Sequence, residues 1–334
     1  MSRKTRTKSK TRNNAKSRAK KATVSTVKST DTEETVIPTA EPAIIKEEVA
    51  QPEPKEEIKI ETPVEENQVI EQPDLGPRRS VVFIGSECYP FVKTGGLGDV
   101  MSALPKSLAK LNVDVKVILP RYKCIPWEYQ EKMEYKGSFY MDLCADGKQY
   151  YVGIMEYQED GVVYDFIDND EFFSWGDPYT NLIDDIPKFC YFSKAALAAL
   201  NYLDWVPDVV HCHDWQAALI PLLLKTEYRG CFPDAKSVFT IHNIEYQGKC
   251  NLQFNYDVLG LGAGCDEILR FDDCTNFMKS AIVTADRVTT VSETYAQELR
   301  YPYYSHGLDG VLQSRGSDFS GITNGIDMQV FDPA

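Results

Sequence analysis

Along the chain from Arg79 onward, short apolar runs alternate with longer amphipathic stretches. The short runs are rich in β-branched and other apolar residues and have the length of buried strands; they are residues 81–84, 113–119, 208–212, 237–241 and 287–291. Because strands that alternate with helices form βαβ units, the pattern predicts an α/β fold. We expect a mostly parallel sheet with helices on both faces.

A helix with one buried stripe is predicted directly after the first run, where apolar residues recur at three- and four-residue spacing. The stripe consists of Leu97, Met101, Leu104, Leu108 and Leu111. Pro105 falls inside this pattern, which allows a kink or a late start of the helix.

Further elements follow from the same reasoning. Residues 139–168 hold shorter aromatic-rich strands, which predict an extension of the sheet or a hairpin. Residues 189–203 predict a long Ala-rich helix, and residues 215–228 a second helix. Ser292 is placed to cap a helix that begins at Glu293.

Composition divides the 334 residues into two parts, although the overall hydrophobic content of 43% can supply a large core. Residues 1–28 are basic and contain no acidic residue, whereas residues 29–78 are acidic and rich in Pro and Glu. Neither segment holds enough apolar residues to form a core. We therefore expect residues 1–78 to be a disordered tail and residues 79–334 to be the folded domain.

The basic segment has more than one interpretation. It has the size and charge of a tether to nucleic acid or an anionic surface, and its acid-poor, Ser-containing composition is also that of a plastid transit peptide. Lys exceeds Arg, however, and no amphipathic apolar face is present. A solvated tail on a cytoplasmic protein is the interpretation that the composition favours.

Charge and cysteine usage narrow the function of the folded part. The net charge of −14 argues against nucleic acid as its ligand. The nine cysteines contain no C-x-x-C pair, which favours reduced thiols in an intracellular protein over disulfides or a zinc site. The sequence holds no secretory or membrane-length apolar run, so we expect no membrane partner.

A glycine-rich string, residues 93–100 (KTGGLGDV), joins the first predicted strand to the first predicted helix. Glycines let an anion approach the backbone, and the helix that follows turns its free N–H groups toward the same point. Lys93 adds a positive charge. The string therefore predicts a phosphate-type ligand, with a ligand-free turn as the alternative.

The spacing of these glycines disfavours a nicotinamide-dependent oxidoreductase. A dinucleotide fold has G-x-G-x-x-G and an acidic residue at the end of its second strand, whereas this chain has G-G-x-G. Its second predicted strand ends in Pro120 and Arg121.

The four histidines, His211, His213, His242 and His306, lie at or beyond predicted strand ends or in polar loops. In a parallel sheet the carboxyl ends of the strands form the ligand-binding edge. Asp214 accompanies two of these histidines, but no suitable third ligand recurs nearby, so we predict no metal. Each histidine taken alone has a structural explanation; the group favours a site.

Several motifs together resemble bacterial glycogen synthases and plant starch synthases. In order, they are SECYP (86–90), KTGGLGDV (93–100), HDW (213–215), FTIHN (239–243), YQG (246–248), TVS (290–292), HGLDG (306–310) and NGID (324–327). The resemblance extends from about Ser80 to the end of the chain, and it concerns only the N-terminal half of that family.

This resemblance implies a GT-B fold, in which two Rossmann-like domains enclose a cleft. It also implies transfer of glucose from ADP-glucose to the non-reducing end of an α-1,4-glucan, either glycogen or starch, with retention. Neither a cofactor nor a metal ion is implied.

Site residues are implied by the same resemblance. Lys93, Gly95 and Gly96 match the nucleotide-sugar loop, with Asp99 beside them, and Asn324 matches an asparagine at the domain junction that faces the donor sugar.

Other matches concern the reacting sugar and the acceptor. His242 matches the active-site histidine at the donor glucose, and Asn243 next to it is expected to bind substrate. Asp214 matches the catalytic-site aspartate of the H-D-W motif, and Tyr179 an aromatic residue near the acceptor.

Two departures from the family pattern qualify the expected activity. Gln216 stands where bacterial members often have His. The second domain, which in the family supplies an Arg and a Lys for the diphosphate and a Glu-bearing loop, has no counterpart in this sequence. We therefore expect either a fragment or a half that acts with a partner chain; a non-catalytic glucan-binding module is the alternative.

Overall fold

Strands and helices alternate in the computed structural model, which describes residues 76–143, 147–175, 178–327 and 330. The strands are β1 Arg79–Ile84, β2 Val113–Pro120, β3 Glu134–Asp142, β4 Gln149–Glu159, β5 Val162–Asp168, β6 Val209–His213, β7 Lys236–Ile241, β8 Lys249–Cys250, β9 Arg270–Phe271, β10 Cys274–Asn276, β11 Arg287–Thr290 and β12 Phe319–Gly321. The helices are α1 Gly96–Ala109, α2 Trp127–Gln130, α3 Asp170–Phe173, α4 Leu182–Tyr202, α5 Ile220–Lys225, α6 Phe254–Asp257, α7 Asp266–Leu269, α8 Phe277–Thr284, α9 Glu293–Glu298, α10 Pro302–Ser305 and α11 Asp309–Ser314, with 3₁₀ turns at Trp215–Ala217, Ala263–Cys265 and Gly316–Asp318.

The main sheet has nine strands in the order β12-β11-β7-β6-β1-β2-β5-β4-β3. Neighbours from β12 to β5 pair in parallel, whereas β4 and β3 pair antiparallel at one end. Three short strands form a separate antiparallel sheet in the order β8-β10-β9. The predicted parallel α/β fold is confirmed, and the aromatic-rich segment both extends the sheet and forms a hairpin.

The chain reverses its direction of travel across the sheet at β1. From β1 it moves to β2 and β5, and it then returns to β6 on the other side of β1 before continuing to β7 and β11. Because parallel crossovers are right-handed, α1 covers one face and α4, α5 and α8 cover the other. A reversal of this kind opens a crevice at the carboxyl ends of the strands, where ligands bind in such folds.

The first helix differs in part from its prediction. It begins at Gly96, runs through Pro105 without a late start, and buries Leu97, Gly98, Met101, Ser102 and Pro105. The buried face is therefore rotated relative to the leucine stripe. Leu104 lies at its margin and is 36% exposed, and Leu111 lies beyond the helix end and is 51% exposed, so the prediction that both are buried is wrong.

Two other helices also differ from their predictions. Helix α4 begins at Leu182, before the predicted start at residue 189. Residues 215–228 form a 3₁₀ turn followed by α5, with a proline in the first turn of α5, instead of one helix. Ser292 caps α9 as predicted, because its side chain accepts a hydrogen bond from the N–H of Tyr295.

The predicted tail lies outside the described residues over 1–75. Within the described part, no helix combines the length and the apolar character that crossing a bilayer requires. Cys88, Cys190 and Cys212 are buried with free thiols, and burial raises the pKa of each.

Candidate active site

A cavity of about 720 Å³ lies at the carboxyl edge of the main sheet. Its walls come from the segments that follow β1, β6, β7, β11 and β12, together with the start of α1 and the residues that lead into α4. The cavity therefore occupies the crevice that the reversal at β1 creates.

Most of the predicted site residues meet in this cavity. Gly95, Gly96, Tyr179, Asp214, His242, Asn243 and Asn324 all line it. Lys93 is not among the lining residues, and Asp99 lines a smaller neighbouring cavity of about 220 Å³ that shares Gly96 and Asn324 with the first.

The glycine loop is held by an internal carboxylate. Glu87, which is 3% exposed, accepts hydrogen bonds from the backbone N–H of Thr94, from the Thr94 hydroxyl at 2.8 Å and from the Gly95 N–H at 3.1 Å. A charged acceptor of this kind makes strong hydrogen bonds. The Gly95 N–H that the sequence suggested for a phosphate thus already has an anionic partner, while Gly96 opens α1, whose first N–H groups have no partner within the helix.

Lys93 forms an ion pair with Asp99, at 2.7 Å between Nζ and Oδ1. Both side chains are more than one-third exposed. Because such exposed pairs are weak, the contact does not by itself fix the lysine in place. Lys93 stands at this loop but is not among the residues that line the cavity, and its assignment as a substrate-binding residue stays a prediction.

Asp214 adopts an unusual backbone conformation immediately after β6, with φ 55° and ψ −177°. This region is costly for any residue with a Cβ, and such strain tends to occur at functional sites. The conformation directs the carboxylate toward the loop after β7, where Oδ1 accepts from the N–H of His242 at 2.7 Å and of Asn243 at 3.2 Å. Burial raises the pKa of Asp214, and the hydrogen bonds from these two N–H donors oppose that rise.

Three of the four histidines lie together. His213 Nδ1 is 2.9 Å from His242 Nε2, and the rings of His211 and His213 lie 4.2 Å apart between centroids. Burial lowers the pKa of all three, to about 3 for His211 and well below the ordinary value for His213, so the group is neutral near pH 7. His306 is exposed at the end of α10 and does not line the cavity, so its assignment to the group is wrong.

Tyr179 connects the two walls of the cavity. Its hydroxyl donates to Glu87 at 2.5 Å and lies 2.7 Å from the hydroxyl of Ser86. Beyond it, Asp185 accepts from both the N–H and the hydroxyl of Thr180 and forms a buried ion pair with Lys188 at 2.7 Å. The segment leading into α4 is thereby fixed against the loop after β1.

The described lining residues include three carboxylates, Glu87, Asp185 and Asp214, and no lysine or arginine. Trp215 and Tyr246 add aromatic surface, and Gln216 and Asn243 add amides. Sugar-type hydroxyl groups donate well to carboxylates and to amide oxygens, whereas carboxylates repel a diphosphate. Among the described residues, no group of three or more His, Cys, Asp or Glu side chains is arranged to hold a metal ion.

Glu87 and Asp185 also line the cavity, although neither was predicted from the sequence to be a site residue. Glu87 stands three residues after β1, and a buried carboxylate at the end of a parallel strand is a usable signal. Asp185 lies within a helix and has no comparable signal.

Comparison with known proteins gives consistent similarities. A family model described as the starch synthase catalytic domain matches residues 80–314. The chain is 47% identical over 260 residues to a glycogen synthase of Lachnospira eligens, covering 76% of this chain and 54% of that protein. It is 41% identical over 260 residues to a glycogen synthase of Lachnoclostridium phytofermentans, with the same two shares of 76% and 54%.

A solved structure is similar as well. The catalytic domain of starch synthase IV from Arabidopsis thaliana, bound to ADP and acarbose, superimposes with a TM-score of 0.68 at 35% identity. The match covers 77% of this chain and 53% of that one. The chain thus spans about half the length of the relatives it matches.

Proposed function

The chain belongs to the family of starch synthase catalytic domains, and we propose that it supplies the acceptor-side half of an ADP-glucose-dependent glycogen or starch synthase. In the proposed reaction, glucose passes from ADP-glucose to the non-reducing end of an α-1,4-glucan with retention. The observation that carries the proposal is the cavity, which brings Asp214, His242 and Tyr179 to one place at the carboxyl edge of the sheet.

A neutral glucan suits the lining of this cavity. Sugar hydroxyls donate to a carboxylate such as that of Asp214, and the apolar faces of a pyranose ring pack on aromatic rings such as Tyr246. The cavity volume of about 720 Å³ is in the range of sites that enclose small organic ligands. The glucan end is therefore the ligand that this half binds by itself.

Asp214 and His242 act together in the proposed transfer. The transition state resembles an oxocarbenium ion, which nearby carboxylate and carbonyl oxygens stabilise. Asp214 holds the His242 backbone through its N–H, so it orients this loop as well as contributing negative charge. Since His242 is neutral, it serves as a hydrogen-bonding group toward a sugar hydroxyl without adding positive charge beside the cation.

The leaving diphosphate requires positive charge from elsewhere. The described lining of the cavity has no cation, and Lys93 would first have to leave Asp99. The start of α1 at Gly96 offers N–H groups and the positive end of the helix dipole. A second protein surface that carries cations is therefore part of the proposed active enzyme.

The relative of known structure supports the proposal that the complete enzyme binds both a glucan and a nucleotide. Starch synthase IV of Arabidopsis thaliana binds ADP and acarbose, and this chain corresponds to 53% of it. We propose the same two classes of ligand here, a nucleotide sugar and a glucan. A glucan-binding module without transfer activity is the second candidate, favoured by the acidic lining of the cavity.

Calorimetric titration with maltohexaose tests the proposed glucan site. Tyr246 lines the cavity and is 61% exposed, whereas Tyr303 is 86% exposed and does not line it. Tyr246→Ala should weaken binding about tenfold, because one aromatic contact contributes about 1.4 kcal/mol. Tyr303→Ala is the matched control and should bind like the unmodified chain; equal effects of the two variants would contradict the assignment.

A further inference from the structure

His213 is the last residue of β6 and is completely buried. Its ring stacks on Phe83 at 5.8 Å between centroids and lies against His211 at 4.2 Å. One nitrogen, Nδ1, is 2.9 Å from Nε2 of His242. The other, Nε2, is sealed from solvent and has no hydrogen-bond partner among the described residues.

Only two arrangements of protons satisfy the contact between the two rings. Both rings are neutral because burial lowers the pKa of each, so each ring carries a single N–H. Either His213 Nδ1–H donates to His242 Nε2, or His242 Nε2–H donates to His213 Nδ1. In the second arrangement the proton of His213 must sit on Nε2.

The sealed nitrogen distinguishes these arrangements. A proton on His213 Nε2 would be a buried donor without an acceptor, and orphaned buried N–H groups are rarer in proteins than under-satisfied acceptors. A proton on Nδ1 leaves only an unused lone pair at Nε2. The arrangement in which His213 Nδ1–H donates to His242 Nε2 is therefore the one with the lower energetic cost.

We propose that His213 is a positioning residue: it keeps its proton on Nδ1, donates to His242 Nε2, and thereby fixes His242 as the tautomer protonated on Nδ1. The hydrogen bond that one imidazole nitrogen makes decides which nitrogen of the ring carries the proton. His242 then has two anchors, its ring through His213 and its backbone N–H through Asp214 at 2.7 Å.

The consequence concerns the ligand in the cavity. His242 lines the cavity, and its Nδ1 has no partner among the described residues. With the tautomer fixed, that nitrogen is a permanent donor, suited to an acceptor oxygen of a bound ligand and unsuited to a cation. Only the identification of that oxygen as part of a sugar rests on the proposed function.

His211 is kept out of this hydrogen-bonded pair by its own partner. Its Nε2 lies 2.6 Å from the hydroxyl of Thr240, which in turn lies 2.7 Å from the hydroxyl of Thr289. His211 therefore packs against His213 without competing for the proton between His213 and His242. This separation supplies a matched control, because Thr240→Val removes the hydroxyl that His211 and Thr289 share and leaves the contact between His213 and His242 in place.

Nitrogen NMR of the four histidine rings in the full chain tests the proposal directly. The unmodified protein should show His213 and His242 each with a protonated, pyrrole-like Nδ1 and a pyridine-like Nε2, and Thr240→Val should leave His242 unchanged. A pyrrole-like Nε2 on either His213 or His242 would overturn the proposal, whether or not any variant folds.

Two substitutions of His213 add a second readout. The side-chain amide of His213→Asn can donate from near the Nδ1 position, so His242 should keep a single tautomer, whereas His213→Leu should leave its ring nitrogens averaged between tautomers. A single unchanged tautomer in His213→Leu would show that His213 does not position the ring. Because no ligand is added, failure of this test is distinct from failure to bind maltohexaose.

Discussion

The hydroxyl of Tyr179 donates a 2.5 Å hydrogen bond to the carboxylate of Glu87, joining two residues that are 92 positions apart. The same carboxylate accepts from the glycine loop at Thr94 and Gly95. The buried Glu87 carboxylate therefore holds both the glycine loop and Tyr179 in place.

Glu87→Gln should destabilise the protein more than Tyr179→Phe does. The glutamine presents an amide NH₂ to loop N–H groups that need an acceptor, so we expect a loss of about 2 kcal/mol in the free energy of unfolding, against about 1 kcal/mol for loss of the single phenol hydrogen bond. Urea denaturation at pH 7 measures both. Equal stability of Glu87→Gln and the unmodified chain would show that the loop does not depend on this charge.

Because the backbone of Asp214 is strained, we expect glycine at this position to give a more stable protein than alanine, the reverse of the usual order. At most positions alanine is more stabilising than glycine, but at φ 55° and ψ −177° only glycine is unstrained. Both variants lose the carboxylate, so their difference isolates the backbone. Asp214→Gly should be about 1–2 kcal/mol more stable than Asp214→Ala; thermal unfolding in which alanine is the more stable would contradict the assigned conformation.

His211 should make the folded state sensitive to acid. Its pKa is about 3 in the folded protein and about 6.5 when unfolded, so below pH 6.5 only the unfolded chain takes up the proton. The free energy of unfolding should then fall as pH drops from 6.5 toward 3, by up to about 1.4 kcal/mol per pH unit for this residue. Denaturation curves of the unmodified chain and of His211→Gln at pH 7 and pH 5.5 measure how much unfolding free energy His211 removes on acidification. If both proteins lost the same free energy between the two pH values, His211 would not be the cause.

Transfer of glucose should require more than this chain. Loss of a principal group that stabilises the leaving charge costs about 3 kcal/mol or more, and an open crevice weakens the electrostatic interactions that remain. Residues 1–334 purified alone should fold and incorporate no labelled glucose from ADP-glucose into glycogen above background. A glycogen synthase such as that of Lachnospira eligens is the positive control. Robust incorporation by the isolated chain would contradict the proposal that transfer needs a second, cation-bearing protein surface.

The strands were predictable because parallel strands are buried on both faces and read as continuous apolar runs. The run predicted at 113–119 corresponds to the observed strand Val113–Pro120, and the run predicted at 237–241 corresponds to the strand Lys236–Ile241. Helix faces were less predictable. The leucine stripe of α1 has the right period, but the buried face also includes Gly98 and Ser102, which no hydrophobic pattern marks.

Of the site residues, those that directly follow a strand could be predicted from the position of the strand end. Asp214 and His242 follow β6 and β7 directly, so their meeting at one edge follows from the parallel sheet. The partners of Glu87 and Lys93 depend instead on how the glycine turn folds. Lys93 turns toward Asp99 six residues later, a contact that neither helical nor strand periodicity suggests.

The ligand preference of the unmodified chain is the most direct test of the proposed function, because the described lining of the cavity holds three carboxylates and no cation. Calorimetric titrations with maltohexaose and with ADP, under identical buffer and salt, measure it. We expect saturable binding of maltohexaose, with a dissociation constant on the order of 1 mM or tighter, and no saturable binding of ADP over the same concentrations. Saturable binding of ADP without binding of maltohexaose would contradict the assignment of this chain as the acceptor-side half.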